Sequence, residues 1–175
     1  MGLNLVNLEM EDVRKLMLEE LELDVAEKCI YKGKSLKESH EEAYINLFRD
    51  SIMNGTSDSF SSSIEINNCL MSHVPDPKTK SGLRKVSKIA HITLGEGEFN
   101  RFYIRALCRI ASDQSLELEI YRAKNVRKPR PESEAKIGEL VDPESLLINL
   151  RTNPIVNEAL GIPDPNSGLS IKIIE

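Results

Sequence analysis

The stretch from Glu96 to Ala111, EGEFNRFYIRALCRIA, constrains the fold more than any other part of the chain. At roughly 100° per residue, Phe99, Phe102, Tyr103, Ile104, Ala106, Leu107, Ile110 and Ala111 spread over an arc of about 200°. That is wider than a surface helix needs, so the spacing predicts a helix packed on two sides with one narrow polar seam. Arg101, Arg105 and Arg109 recur every fourth residue and fill the seam. Guanidinium groups at this spacing repel mildly and call for carboxylates, water or an anionic partner. The simpler expectation is a solvated edge with local ion pairs, Glu98 to Arg101 among them. The sharper one is a row that grips carboxylate or phosphate through its planar forks.

A chain of 175 residues can build one well-buried core. Nowhere does it hold the roughly 18 consecutive apolar residues of a membrane-spanning helix, and its first residues lack the basic flank and cleavage site of a signal peptide. Cys29, Cys69 and Cys108 are odd in number and far apart, which indicates neither a disulfide framework nor a zinc knuckle. A reducing cytoplasm is the expected compartment, with no membrane partner and no cofactor.

The net charge of −5 conceals a pattern. Residues 1–60 carry 7 basic against 13 acidic side chains, residues 61–130 carry 13 against 7, and residues 131–175 carry 3 against 8. Acidic ends folding over the basic middle are the simpler account. The other is a basic face that meets an acidic partner, whether nucleic acid or another copy of the chain.

Taken in order, Glu9 to about Lys28 reads as a first helix capped by Asn7, with Val13, Leu16, Met17 and Leu21 at helical spacing. Ser35-Leu36-Lys37-Glu38 has the form of a capping box opening a second helix that Asn54-Gly55 ends. A short helix is expected within Ser57 to Met71, then a loop through His73 to Gly82. From Val86 an alternation through Leu94 predicts a strand, and Gly95-Glu96-Gly97-Glu98 a turn into the arginine helix. Leu116, Leu118 and Ile120 predict a second strand. Asp142-Pro143 predicts a helix start, Asn153-Pro154 its end with another short helix to Leu160, and Leu169 to Ile173 a last strand after a tight loop at residues 162–168. The expected fold is α+β, or a small α/β arrangement: a helical hairpin followed by a β-α-β-α-α-β unit with three strands. The expected division, within one compact domain, is a helical portion at 1–72, a linker loop at 73–85 and an α/β portion at 86–175.

Candidate chemistry is sparse. Gly95-x-Gly97 between a strand and a helix suggests a phosphate loop, but Asn100 replaces the third glycine and Glu96 and Glu98 put negative charge where phosphate would lie. A small enzyme with a pocket at that turn is the weakest functional expectation. Cys108 lacks the downstream arginine of a phosphatase loop, Gln114 standing there, and reads as a buried thiol. His40, His73 and His91 lack partners at metal-binding spacing, and the alternation turns Glu117 and Glu119 to water. The segment Arg122, Lys124, Arg127, Lys128 and Arg130, with Pro129 and Pro131, is the better candidate for partner contact. The residues favour a non-catalytic interaction or assembly subunit, of a size and composition suited to a bacterium or phage, binding through Arg101, Arg105, Arg109 or this basic segment. Nucleic-acid association is the alternative.

Overall fold

The computed structural model describes residues 2–162 and 167–174. Three helices come first: α1 (Val13–Ala26), α2 (Glu41–Asn54) and α3 (Ser57–Ile66). A hairpin of β1 (His73–Pro75) and β2 (Leu83–Lys85) leads to α4 (Ala90–Gln114), and β3 (Glu117–Arg122) follows. The remainder is α5 (Pro131–Ala135), β4 (Leu140–Val141), α6 (Pro143–Thr152), α7 (Val156–Ala159) and β5 (Leu169–Ile174). This is an α+β fold. Its three-stranded sheet is antiparallel in the order β4-β3-β5, with Leu118 opposite both Val141 and Ile173.

α4 is the axis. It touches α1, α3, α6 and the β3–β5 face of the sheet, which explains an apolar arc too wide for a surface helix. Phe99, Phe102, Tyr103 and Ile104 are fully buried. Phe48 of α2 stacks on Phe60 at 4.3 Å between centroids and meets Phe102 edge-on at 5.2 Å, favourable geometries for aromatic pairs. One hydrophobic cluster runs from Leu5 to Ile171, so the early helices and the sheet share a core.

Several local signals read true. Asp142 caps α6, its Oδ2 accepting from Ser145 N at 2.8 Å with proline in the first turn. Along β3, Leu118 and Ile120 are buried and Glu117 is exposed. Others were overridden. The expected strand from Val86 to Leu94 is not one: Ala90 opens α4, and Ile92, Leu94, Gly95 and Gly97 lie inside that helix. Residues two apart fall on opposite sides of a helix, so the alternation marks no helical face; the packing of α3 on α4 overrides it. Gly95 is required by that contact, since a Cβ there would stand 2.9 Å from Ser61 Cα and 3.0 Å from Ser61 N. The third strand is instead β4.

The expected linker loop is the β1–β2 hairpin. Asp76 N donates to Gly82 O at 2.9 Å, and Gly82 takes the left-handed φ of +69° that closes the turn. Ser35 to Glu38 cap nothing. A 3₁₀ turn at Glu38–His40 precedes α2, and the reciprocal capping box stands at Thr56 and Ser59 before α3. Asn7 does not cap α1; its Oδ1 accepts from Ile173 N at 3.1 Å and fastens the amino-terminal segment to β5. Of the expected loop at 162–168, residues 163–166 lie outside the described residues.

Candidate functional site

The arginine row sits in the core. α1 lies across the seam of α4 that sequence spacing leaves polar, and it brings Glu20 and Asp24, themselves buried. Arg105, 0% exposed, donates to Glu20 Oε2 from Nε at 2.9 Å and Nη2 at 2.7 Å. It also grips Asp24 bidentately at 2.8 and 2.9 Å. Arg101 bonds Glu98 at 2.8 Å and Asp24 at 3.2 Å. Arg109 reaches Glu19 at 2.8 Å and Glu20 at 3.4 Å from a half-buried position. Arg151, from the last turn of α6, donates to Glu20 Oε1 at 2.6 Å and shares Oε2 at 3.0 Å. The two inner guanidiniums flank the Phe102 ring at 4.6 and 4.7 Å, a cation–π arrangement. A solvated edge, or an edge offered to a partner, is therefore corrected for Arg101 and Arg105: both are buried and paired with carboxylates of the same chain.

The carboxylates respond differently to this enclosure. Burial is the strongest single influence on Glu20 and opposes its ionisation. The hydrogen bonds and charges of Arg151 and Arg105 together outweigh it and hold Glu20 below the usual carboxylate range. Glu98 has fewer donors. Burial raises its pKa, the charge and hydrogen bond of Arg101 offset that only in part, and Asp24 pushes it further up. Cys108 is pushed up to about 12, by burial first and then by the charges of Asp142 and Glu20. It is a protonated packing thiol at neutral pH.

The basic connection is half consumed. Arg122 pairs with Glu134 and donates to Ser167 O at 2.8 Å. Lys124 pairs with Glu96 at 2.6 and 2.7 Å. Arg127, Lys128 and Arg130 are exposed, and among the described residues no carboxylate pairs with Arg127 or Lys128. The hairpin and the turn after it add a second basic segment that sequence reading passed over as a charged loop. Lys78, Lys80, Lys85 and Lys88 are exposed and without a carboxylate partner among the described residues, and Arg84 meets Asp76 at 3.4 Å. The signal was available as five cations against one acid across residues 76–88.

These two segments, distant in sequence, border the same cleft. Its volume is about 530 Å³, within the usual size of a binding pocket. Val74, Arg84 and Val86 come from the hairpin side, and Lys124 and Val126 from the connection. Ile89 and the first turns of α4 form another wall, with Ile92, Glu96 and Gly97, and Pro154 to Asn157 close the far side. Most of the wall's surface is apolar, and Tyr31 is its aromatic side chain among the described residues. Its carboxylates are engaged, Glu96 by Lys124 and Glu98 by Arg101. Gly97 is unlike Gly95: a Cβ built on it would meet nothing within 4 Å. The expected Gly95–Gly97 turn is thus corrected to a helical wall, though the wall does border a cavity.

Among the described residues no helix is long and apolar enough to cross a membrane. No group of three or more histidine, cysteine or acidic side chains is placed there to hold a metal ion. No protein-family model matches the chain, and neither a curated protein nor a solved structure shows significant similarity to it.

Glu20 and Asp24 are the residues that sequence reading missed as partners of the row. Their signal lay in α1, where Val13, Met17, Glu20, Leu21 and Asp24 share one face at helical spacing. Two acids on an otherwise apolar stripe announce a buried cationic partner.

Proposed function

We propose that the protein is a non-catalytic interaction or assembly subunit of the cytoplasm, engaging another protein, a second copy of itself included, through the cleft between the hairpin and the basic connection. The observation that supports this reading is a largely apolar hollow whose wall includes Lys34, Arg84 and Lys124, with the uncompensated Lys85, Lys88, Arg127 and Lys128 close in sequence to lining residues. An apolar centre within a polar rim is the anatomy of a protein-binding surface, and like charges gathered around a cleft steer an oppositely charged partner into it. The engaged state of Glu96 and Glu98 leaves the wall without a free acid–base pair, which weighs against the small-enzyme reading.

Size exclusion with light scattering from low to high salt tests the proposal, using the wild type and a variant with Arg84, Lys85 and Lys88 changed to Glu. Each is run alone and after passage over nuclease-treated lysate. The expected result is association of the wild type, with itself or with a retained protein, that weakens with salt and disappears in the variant. A strict monomer that retains nothing, or retention equal in both proteins, contradicts it.

A second reading, nucleic-acid association, draws on the exposed Lys78, Lys80, Lys85, Lys88, Arg127 and Lys128. Phosphate contacts from such side chains are steeply salt-dependent and blind to sequence. Against it stand the internal pairing of Arg122 and Lys124 and a wall with little aromatic surface for base stacking. Retention of a labelled duplex by the wild type and not by the triple variant would favour this second reading.

A further inference from the structure

We infer that the cleft takes an extended acidic peptide segment whose backbone crosses α4 at Gly97 and whose aliphatic side chains enter the hollow beside it. The inference rests on the protein-interaction reading and names the chemistry of the partner at that site.

Gly97 is the first observation. Glycine inside a helix weakens it, and such a residue ordinarily answers a packing need. Two positions earlier that need is plain, because the backbone of Ser61 leaves no room for a Cβ at Gly95. At Gly97 nothing in the chain comes within 4 Å of where a Cβ would be, and the position opens on the cleft. Bare helix backbone at the wall of a cavity lets something from outside approach more closely than any side chain would allow.

Charge is the second observation. Of the acids in the wall, Glu96 is neutralised by Lys124, and Glu98 is buried against Arg101. The cations facing an incoming ligand are less fully matched: Lys34 has no carboxylate partner among the described residues, and Arg84, which meets Asp76 at 3.4 Å, keeps more than half of its side chain in solvent. Lys85 and Lys88 stand next to the cleft in sequence, as do Arg127 and Lys128 on its other side. The field at the mouth therefore favours carboxylates.

The wall's composition separates an acidic peptide from a nucleic-acid strand. Val74, Val86, Ile89, Ile92, Val126 and Ile155 offer contact to Leu, Ile or Val side chains. Stacked bases need aromatic or guanidinium platforms, which this wall supplies poorly. A volume of about 530 Å³ suits a short stretch of chain rather than a folded domain.

The test is a selection of random peptides displayed on phage against the immobilised full chain, followed by affinity measurement with a synthetic copy of an enriched peptide. Enriched sequences are expected to carry Leu, Ile or Val flanked by Asp or Glu. Affinity should fall at least tenfold in Gly97→Leu and in the pair Lys34→Glu, Arg84→Glu, while circular dichroism and thermal unfolding show both variants folded. Selection of nothing, selection of basic or aromatic peptides, displacement of the peptide by a single-stranded oligonucleotide at equal concentration, or affinity within twofold of wild type in Gly97→Leu would each overturn the inference. If the hairpin variant abolishes protein association while Gly97→Leu leaves it intact, the interaction reading stands and this assignment of the partner falls. If neither variant changes any association, both fall.

Discussion

The middle third of the chain contains two sets of cations with opposite fates. Arg101, Arg105 and Arg109 lie on a helix surrounded by other elements, and each meets carboxylates of the same chain. Lys78, Lys80, Lys85 and Lys88 lie on the exposed hairpin and the turn after it, and none of them does among the described residues. The difference follows from desolvation. A guanidinium taken out of water must be paired and hydrogen-bonded, so the packing of α4 dictates Glu20 and Asp24 on α1. A lysine left in water needs nothing from its own chain and remains free for a partner. Cations that appear equally basic in the sequence are thus divided by the fold into a structural set and an available set.

Breaking the structural set should have the largest effect. Arg105→Ala leaves Glu20 and Asp24 buried with much of their pairing gone, and a loss of about 3–5 kcal/mol is expected, read as a fall in the urea midpoint at neutral pH. A loss under about 1 kcal/mol would mean that water reaches the network.

The two glycines sharpen the comparison along α4 itself. Gly95→Ala should destabilise by about 1–3 kcal/mol, since the Ser61 backbone cannot give way cheaply. Gly97→Ala should stabilise by about 0.5–1 kcal/mol, because alanine is the better helix former and the space is open. Thermal unfolding of the pair checks this, and equal effects would contradict the open wall.

Acid titration separates the two kinds of carboxylate within the network. Glu20 has a lowered pKa in the fold, so its stabilisation is present above the unfolded value of 4.5 and is lost as pH falls through the folded value. Glu98 has a raised pKa, so the native state takes up its proton first. Acidification from the folded value down to 4.5 therefore adds stability. Denaturation of the wild type against Glu98→Gln should show the difference shifting toward the wild type as pH falls from neutrality. Against Glu20→Gln it should shift the other way below 4.5. Each slope is limited to about 1.4 kcal/mol per pH unit, the value for one proton.

The smallest effect belongs to the available set. Changing Lys78, Lys80, Lys85 and Lys88 singly to Gln should move stability by less than about 0.5 kcal/mol each, measured by the same urea midpoints. A larger loss would place those side chains in the structure rather than at its disposal.

Much of this was legible in the residues. The apolar arc of α4 declared its burial, Asp142-Pro143 declared the start of α6, and the alternation around Leu118 and Ile171 declared two of the three strands. What failed depended on contacts between distant segments. Ala90 to Leu94 alternate like a strand, yet α3 recruits them into a helix, with Gly95 as the point of close approach. β4 is two residues long and exists by pairing with β3, so no local pattern could announce it. The row's partners are some 80 residues away on α1, visible only once Glu20 and Asp24 are seen to share the face of Met17 and Leu21. The cleft has walls drawn from at least five places in the chain, and no single stretch carries its outline.

The division of the cations is tested most directly by arginine modification. Native protein is treated with phenylglyoxal and the modified positions are mapped by mass spectrometry, with a urea-unfolded sample as reference. Arg84 and Arg127 are expected to react in the native protein, while Arg101 and Arg105 stay unmodified until it unfolds. Reaction of Arg101 and Arg105 at the native rate of Arg84 would contradict the account.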